Sequence, residues 1–259
     1  MFQVELEHWW YLGMQQITRA LLNKWYCART DLKILDAGCG TGAAMSTYLS
    51  NYGRVTGFDL SPVALHYCRK RLAPLSASNV PSIVNDVPPI VNKVPSIVRA
   101  CITQIPFPSH SFDLAASFDV LYESSVSDDL TALQELARVL ITGGRLLIRL
   151  PAYPWLRGQH DTVVHTARRY TSGQLKRLLE HSGLVIEHIT YANTVLFPIA
   201  ALKRLSERFF QQTKPISDLA LQTGPFNRLF QWILMLEAGP AAGPGLPYGL
   251  SVIAVGRKP

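Results

Sequence analysis

The chain has 259 residues, of which 48% are apolar and 17% charged. That balance excludes a disordered tail or a fibrous protein and suits one large α/β domain or two small ones. The formal charge is +7, but the basic residues are dispersed, so charge alone supports only a weak preference for anionic ligands or membrane surfaces.

Four cysteines (Cys27, Cys39, Cys68 and Cys101) stand apart with no C-x-x-C pair. This argues against a disulfide scaffold or a zinc ribbon and points to a reducing cytoplasm. Glu5 and Glu7 precede any basic residue and no apolar run follows, so a signal peptide is not expected. The least polar stretch, Ile189 to Leu202, is broken by Asn193 and Pro198. It falls short of the ~20 apolar residues that cross a bilayer.

In chain order, Met1 to Ala28 reads as a helix, with Val4, Leu6, Trp9, Trp10, Ile17, Leu21, Leu22 and Trp25 near helical spacing. Lys33 to Ala37 is a short strand ending in glycines, and Ala43 to Ser50 a helix. Arg54 to Phe58 is a second strand. Ser61 to Leu72 is a helix, with Ser61 as N-cap and Pro62 at its first position. Strand then helix, twice over, signals βαβ units in a parallel sheet.

Next comes a seven-residue unit, Val80 to Asp86, repeated almost verbatim over Val87 to Lys93 and Val94 to Ala100. A proline in each copy excludes a coiled coil, and the units are too few and too short for a solenoid. The last copy is the strand candidate and the first two read as a tandem surface insertion, which loops tolerate. The rhythm resumes with a strand at Phe112 to Asp119, a helix at Asp128 to Leu140, a Gly143-Gly144 turn and a strand at Arg145 to Leu150. A polar stretch, Pro151 to Tyr170, leads to a helix at Ser172 to His181, stopped by Gly183, and a strand at Leu184 to Tyr191. Helices near Val195 to Gln212 and Pro225 to Glu237 precede a Gly/Pro-rich turn and a final strand, Leu250 to Val255. No Ser/Gly linker divides the chain. It reads as one domain over 1–259, with an N-terminal helical extension over 1–30, the repeat insertion at 80–100 and a helical addition over 192–240.

The most informative stretch is Asp36-Ala37-Gly38-Cys39-Gly40-Thr41-Gly42, between a strand and a helix. Glycines there permit a sharp turn and bring bare backbone to a ligand at a helix N-terminus. The spacing is G-x-G-x-G, not the G-x-G-x-x-G of pyrophosphate binders. Asp36 before the first glycine repels a pyrophosphate but pairs with an ammonium. Asp59, at the end of the second strand, stands where an acid accepts ribose hydroxyls in a doubly wound sheet. A ligand with a ribose, a cationic amino-acid end and no phosphate fits: S-adenosylmethionine.

In these features the chain resembles a class I S-adenosylmethionine-dependent methyltransferase of the broad type-11 group. The resemblance runs through the DAGCGTG loop, Gly57-Phe58-Asp59-Leu60-Ser61-Pro62, Ile105-Pro106-Phe107, Ser111-Phe112-Asp113, and Arg138-Val139-Leu140 with Gly143-Gly144. It covers residues 33 to 150. A narrower likeness continues through His160-Asp161, His165, Arg169-Tyr170 and Tyr191-Ala192-Asn193. The resemblance implies a Rossmann-like, doubly wound seven-stranded sheet, mostly parallel with an antiparallel last strand. It implies that Asp36, Gly38, Cys39 and Gly40 hold the methionine portion of the cofactor, that Asp59 takes the ribose and that Leu60 lies beside the adenine. Ile102 and Thr103 would contact the adenine, and Asp119 would line the cleft near the sulfonium. Cys101 stands where many relatives have aspartate, and Glu123 where they commonly have histidine.

Ligands of open α/β sheets bind beyond the carboxyl ends of the strands. Pro151 ends a strand on that edge, so the stretch after it borders the methyl group. An in-line methyl transfer needs the acceptor aligned and, where it carries a proton, deprotonated. His160 and His165, with Asp161, are the catalytic candidates. Arg168 and Arg169 are candidates for an anionic acceptor, and Tyr153 and Tyr170 complete the substrate set. A competing reading pairs Arg169 with Asp161 to pin the loop. The histidine spacing fits no metal motif.

His8-Trp9-Trp10-Tyr11 either closes over the cleft as a lid or packs on the sheet. Leu12, Met14 and Gln15 stand after it where similar chains carry arginines. The helix near Val195 to Gln212 mixes Leu196, Phe197, Ile199, Leu202, Leu205, Phe209 and Phe210 with Lys203, Arg204 and Arg208, a pattern open to membrane contact, core packing or dimer formation. The expected function is methyl transfer to a small-molecule or lipid-linked acceptor. Nicotinamide-dependent oxidoreduction and non-catalytic cofactor binding are the alternatives. The expected place is the cytoplasm, with peripheral membrane contact open and nucleic acid disfavoured for want of a basic run.

Overall fold

The computed structural model describes residues 2–77, 95–158, 161, 166–209 and 226–259. The chain runs α1 (Trp9–Tyr26), β1 (Leu32–Ala37), α2 (Ala43–Thr47), β2 (Gly53–Asp59), α3 (Pro62–Ala77), β3 (Ser96–Arg99), β4 (Phe112–Phe118), α4 (Asp129–Val139) and β5 (Leu140–Pro151). It continues with α5 (Ser172–His181), β6 (Val185–Ala192), α6 (Phe197–Phe209), α7 (Asn227–Leu236), α8 (Ala238–Ala242) and β7 (Ser251–Arg257). The 7-stranded sheet has the order β3-β2-β1-β4-β5-β7-β6. β3, β2, β1, β4 and β5 pair in parallel, while β7 is antiparallel to both β5 and β6. This is the doubly wound, mostly parallel sheet with an antiparallel last strand that the sequence leads one to expect.

Strands covered on both faces alternate between two cores. Leu35, Ala115, Leu146, Ile148 and Leu150 join Leu133, Leu136, Leu175 and Leu179 on the α4/α5 side. Ile34, Val55, Leu114, Leu147 and Ile253 join Met14, Ile17, Leu21 and Leu65 on the α1/α3 side. The alternation sends Asp36 and Arg149 to the α1 side at the carboxyl edge. β1 reverses there into the glycine loop, and β4 ends against β5.

Local chemistry sets the helix ends. Asp128 caps α4 by accepting from the Leu130 N–H at 3.0 Å. Thr171 and Gln174 form a reciprocal capping box on α5. α1 crosses α7 at Gly13, where a Cβ would lie 2.6 Å from Leu234 Cδ2, so only glycine permits this approach.

Two boundaries differ from expectation. β5 begins at Leu140, so Gly143 and Gly144 lie within the strand and not in a turn before it. Gly143 has φ +78°, and the β4–β5 pairing passes from Phe112 with Leu140 directly to Leu114 with Arg145, so both glycines lie in an irregular stretch and the continuous ladder starts at Arg145. The expected helix after the glycine loop stops at Thr47, and a 3-10 turn covers Leu49–Asn51. β3 falls in the third copy of the repeat. The first two copies lie outside the described residues.

Candidate active site at the carboxyl edge of the sheet

Asp36, one residue before the end of β1, is buried, and its Oδ2 has no hydrogen-bond partner. Burial first, and the neighbouring Asp59 second, push its carboxyl up from the ordinary 3.8 to about 7. The loop then turns through Gly38 (φ +78°), Gly40 (φ +54°) and Gly42 (φ +81°). The N–H groups of Gly38 and Cys39 donate to the Phe58 carbonyl at 2.8 and 2.9 Å, which ties the loop to β2. A Cβ on Gly38 would meet Val120 Cγ2 at 2.3 Å, whereas one on Gly40 would meet nothing within 4 Å. Gly40 therefore faces open space. The Cys39 side chain is buried toward Cys68, so this residue offers a ligand its backbone and not its thiol.

Asp59 ends β2. Its Oδ2 accepts from the Gly40 N–H at 2.9 Å and its Oδ1 from the Ser61 N–H at 2.8 Å. Those two bonds fix the carboxylate plane and leave each oxygen further acceptor capacity. Leu60 beside it is exposed. At the next turn, Ile102 is buried in the α4/α5-side core, so its side chain is committed to packing. The Cys101 thiol and the Thr103 hydroxyl contact each other at 3.1 Å.

Asp119 follows β4 with φ +60°, a left-handed conformation uncommon outside glycine. Its Oδ2 accepts from Arg149 Nε at 2.9 Å and Nη2 at 2.6 Å. The Arg149 guanidinium lies 5.0 Å from the Trp10 ring and 5.1 Å from Phe118. Sequence reasoning missed Arg149. The available signal was a lone arginine inside the apolar run Leu146 to Leu150. It also missed Tyr122, which together with Tyr11 approaches Asp119. Burial pushes both phenols above their usual range, and the Asp119 carboxylate adds to the shift, so both stay protonated and can donate.

The N-terminal segment closes over this edge. Thr41 donates its hydroxyl to the Glu5 carboxylate. Arg71 donates to Glu5 at 2.7 Å, to Thr41 at 2.9 Å and to the Phe2 carbonyl, with its guanidinium 4.5 Å from the Phe2 ring. The middle of α1 packs on the sheet through Met14, Ile17 and Leu21. Of the aromatic cluster itself, Trp9 and Trp10 are partly buried and pack against the same core, with Trp10 also against Arg149.

Beyond β5 the polar stretch is largely occupied with its own architecture. Asp161 is buried. Its Oδ1 accepts from Arg169 at 2.8 Å, and its Oδ2 accepts from the Gly158 N–H at 2.8 Å and from Arg204 at 3.0 Å. Two guanidiniums and a backbone donor hold it as a clamp between the loop and α6. This is the competing reading of the Asp161–Arg169 pair, extended by Arg204. Arg168 donates to the carbonyls of Leu121, Glu123 and Val126 and pairs with Asp129 at 3.3 Å, stapling the β4–α4 connection. Tyr170 is buried, with its hydroxyl on Asp129 at 2.8 Å. Of the two tyrosines among the substrate candidates, Tyr153 is the one that is partly exposed. It stacks on Tyr191 at 5.1 Å and abuts Phe197 at 5.6 Å. His160 and His165 lie outside the described residues. No cluster of three metal-ligating side chains occurs among the described residues.

An orphaned carboxylate, open space above Gly40 and an oriented second carboxylate together suit a ligand with an ammonium and a ribose. They disfavour a pyrophosphate. Residues 35–148 match the family described as a methyltransferase domain. That segment, somewhat under half of the chain, is similar to a methyltransferase domain. The geometry of the loop and the two carboxylates fits S-adenosylmethionine as the cofactor.

The domain is 29% identical over 158 residues to the demethylmenaquinone methyltransferase of Tropheryma whipplei (strain Twist), covering 61% of this chain and 57% of that protein. It is 28% identical over 139 residues to the 2-phytyl-1,4-naphtoquinone methyltransferase of Synechococcus elongatus, covering 52% and 53%. The chain thus spans little more than half the length of these curated relatives. Among solved structures, the geranyl diphosphate C-methyltransferase of Streptomyces coelicolor A3(2), in complex with Mg2+, geranyl diphosphate and S-adenosyl-L-homocysteine, has the same fold. The TM-score is 0.58 at 15% identity, covering 93% of this chain and 79% of that one.

Proposed function

We propose that this protein transfers a methyl group from S-adenosylmethionine to a small-molecule or lipid-linked acceptor, an isoprenoid-bearing compound being the preferred class. The orphaned Asp36 Oδ2 beside the open Gly40 carries the cofactor half of this reading. The acceptor class is supported by relatives and a fold neighbour whose names specify prenylated naphthoquinones and geranyl diphosphate.

When bound, the cofactor supplies an electrophilic methyl on a sulfonium. Asp36 pairs with the ammonium, and the backbone of Gly38, Cys39 and Gly40 cradles the methionine end. Asp59 takes the ribose hydroxyls, with Leu60 and the turn at Ile102 and Thr103 beside the adenine. Asp119, held by Arg149, forms the wall toward the acceptor. Tyr11 and Tyr122 donate hydrogen bonds into that space, and the Glu5–Arg71 latch helps exclude water. His160 or His165 removes a proton where the acceptor carries one. Asp161 serves as a positioning residue for the same loop.

The test is transfer of labelled methyl to a panel of reduced naphthoquinones with and without isoprenoid tails, isoprenyl diphosphates and small amines. Label recovered in a tailed acceptor supports the reading. Saturable cofactor binding with no labelled product across the panel contradicts it and favours a protein that binds the cofactor without turnover.

A further inference from the structure

Helix α6 is inverted relative to a helix on a water-facing protein surface. Its inward side carries Ala201 and Arg204, each 8% exposed, with Arg204 clamped on Asp161 and the Leu156 carbonyl. Its outward side presents Ile199 at 68% and Leu202 at 70% exposure. A surface helix normally buries its apolar stripe and wets its charges. Helix α7 shows a second such stripe. Leu234 is buried against Gly13 of α1, while Leu229, Trp232 and Leu236 are 47%, 59% and 57% exposed at helical spacing.

The end of α7 and the start of α6 meet at one junction. Glu237, which caps α7, is buried and accepts from the N–H groups of Thr194 (2.8 Å) and Val195 (3.0 Å), which lead into α6. That junction adjoins the end of β6, on the same edge of the sheet as the cleft. Exposed Lys203 and Arg228 flank the stripes, and among the described side chains of these two helices no acid is exposed. With a formal charge of +7, the surface combines aliphatic side chains, an exposed tryptophan and positive charge. Anionic bilayers draw in surfaces of that composition. No helix among the described residues is long and apolar enough to cross a membrane, so the contact lies in the interface plane.

We infer that the outward face of α6 and α7 docks on the surface of an anionic lipid bilayer, turning the carboxyl edge of the sheet toward the lipid. The inference stands apart from the identity of the acceptor. An isoprenoid-bearing acceptor would then reach the cleft from the bilayer.

The test is co-sedimentation of the full-length protein with vesicles of phosphatidylcholine mixed with phosphatidylglycerol, and with vesicles of phosphatidylcholine alone. The wild type is expected to pellet with the mixed vesicles, less so as salt rises. A variant carrying Leu229→Ser and Trp232→Ser should bind roughly tenfold or more weakly. Its unchanged circular dichroism and unchanged melting shift with S-adenosylhomocysteine would show that the fold and cofactor site survive. A second variant, Ile199→Ser with Leu202→Ser, should weaken binding independently. Wild-type protein that stays in the supernatant with both vesicle types overturns the inference, as does equal binding by wild type and both variants. A vesicle-indifferent dimer that dissociates on Trp232→Ser also overturns it, in favour of a second copy covering this face. Each of these results leaves the methyl-transfer assay unaffected.

Discussion

Asp36 shows how a single carboxylate couples stability to ligand. In the ligand-free fold its carboxyl sits at about 7, against the ordinary 3.8, because burial disfavours the charged form and Asp59 repels it. The folded value lies above the unfolded one, so the favourable contribution is complete below about pH 4 and disappears as pH rises through about 7. Ligand-free protein should therefore lose thermal stability across that window, and Asp36→Asn should flatten the decline. Parallel profiles for wild type and variant would contradict this. Arg149 stabilises through its partners. Arg149→Met leaves Asp119 without its cation and removes the contacts to Trp10 and Phe118. Its predicted cost is about 2–4 kcal/mol, less than for a fully buried pair because Asp119 is partly wet. Urea unfolding checks it, and a loss of less than roughly 1 kcal/mol would show the pair to be peripheral.

Among the elements, the contact of α1 with α7 is the least forgiving. Alanine is the better helix former by about 1 kcal/mol, yet Gly13→Ala would drive a methyl to 2.6 Å from Leu234 Cδ2. The clash should dominate, with a net loss of about 1–2 kcal/mol in the urea midpoint. A gain would mean that α7 moves away freely. Gly13 also illustrates what a sequence conceals. The glycine loop, the strand before it and Asp59 were legible because their chemistry is local: an acid, a turn and a helix start within a few residues. The partnership of Gly13 with Leu234, like that of Arg149 with Trp10, depends on how two distant elements cross, and no periodicity encodes that. The same limit applies to Asp161, Arg168 and Tyr170. Their residue types suited catalysis or anion binding, and the fold also gives them structural partners, Arg204 for Asp161 and Asp129 for Arg168 and Tyr170, that no local pattern encodes. Gly143 and Gly144 suggested a turn because a bulge and a turn demand the same backbone freedom.

On the scale of the whole molecule, the strand order determines which residues can meet. β1, β2 and β4 bring Asp36, Asp59 and Asp119 to one edge, and α1, the element before β1, contributes Tyr11 and Trp10. This topology was readable from alternating strands and helices, but the N-terminal segment was only half readable, since its latch joins Glu5 to Arg71 across four elements. By the same logic, the first two copies of the repeat should be expendable. Deleting residues 80–93 leaves 78, 79, 94 and 95 between α3 and β3, an ordinary connection length. Such a deletion should change unfolding free energy by less than about 1 kcal/mol. A collapse of stability would assign those copies to the core.

Titration calorimetry with S-adenosylhomocysteine on wild type and Asp36→Asn, at about pH 6 and about pH 8, tests the central claim most directly. The wild type should bind more tightly at the higher pH, with proton release at the lower one, while the variant binds at least about tenfold more weakly and without that pH dependence. Equal affinity for wild type and variant at both pH values, or tight binding of NADH in place of S-adenosylhomocysteine, would contradict the account.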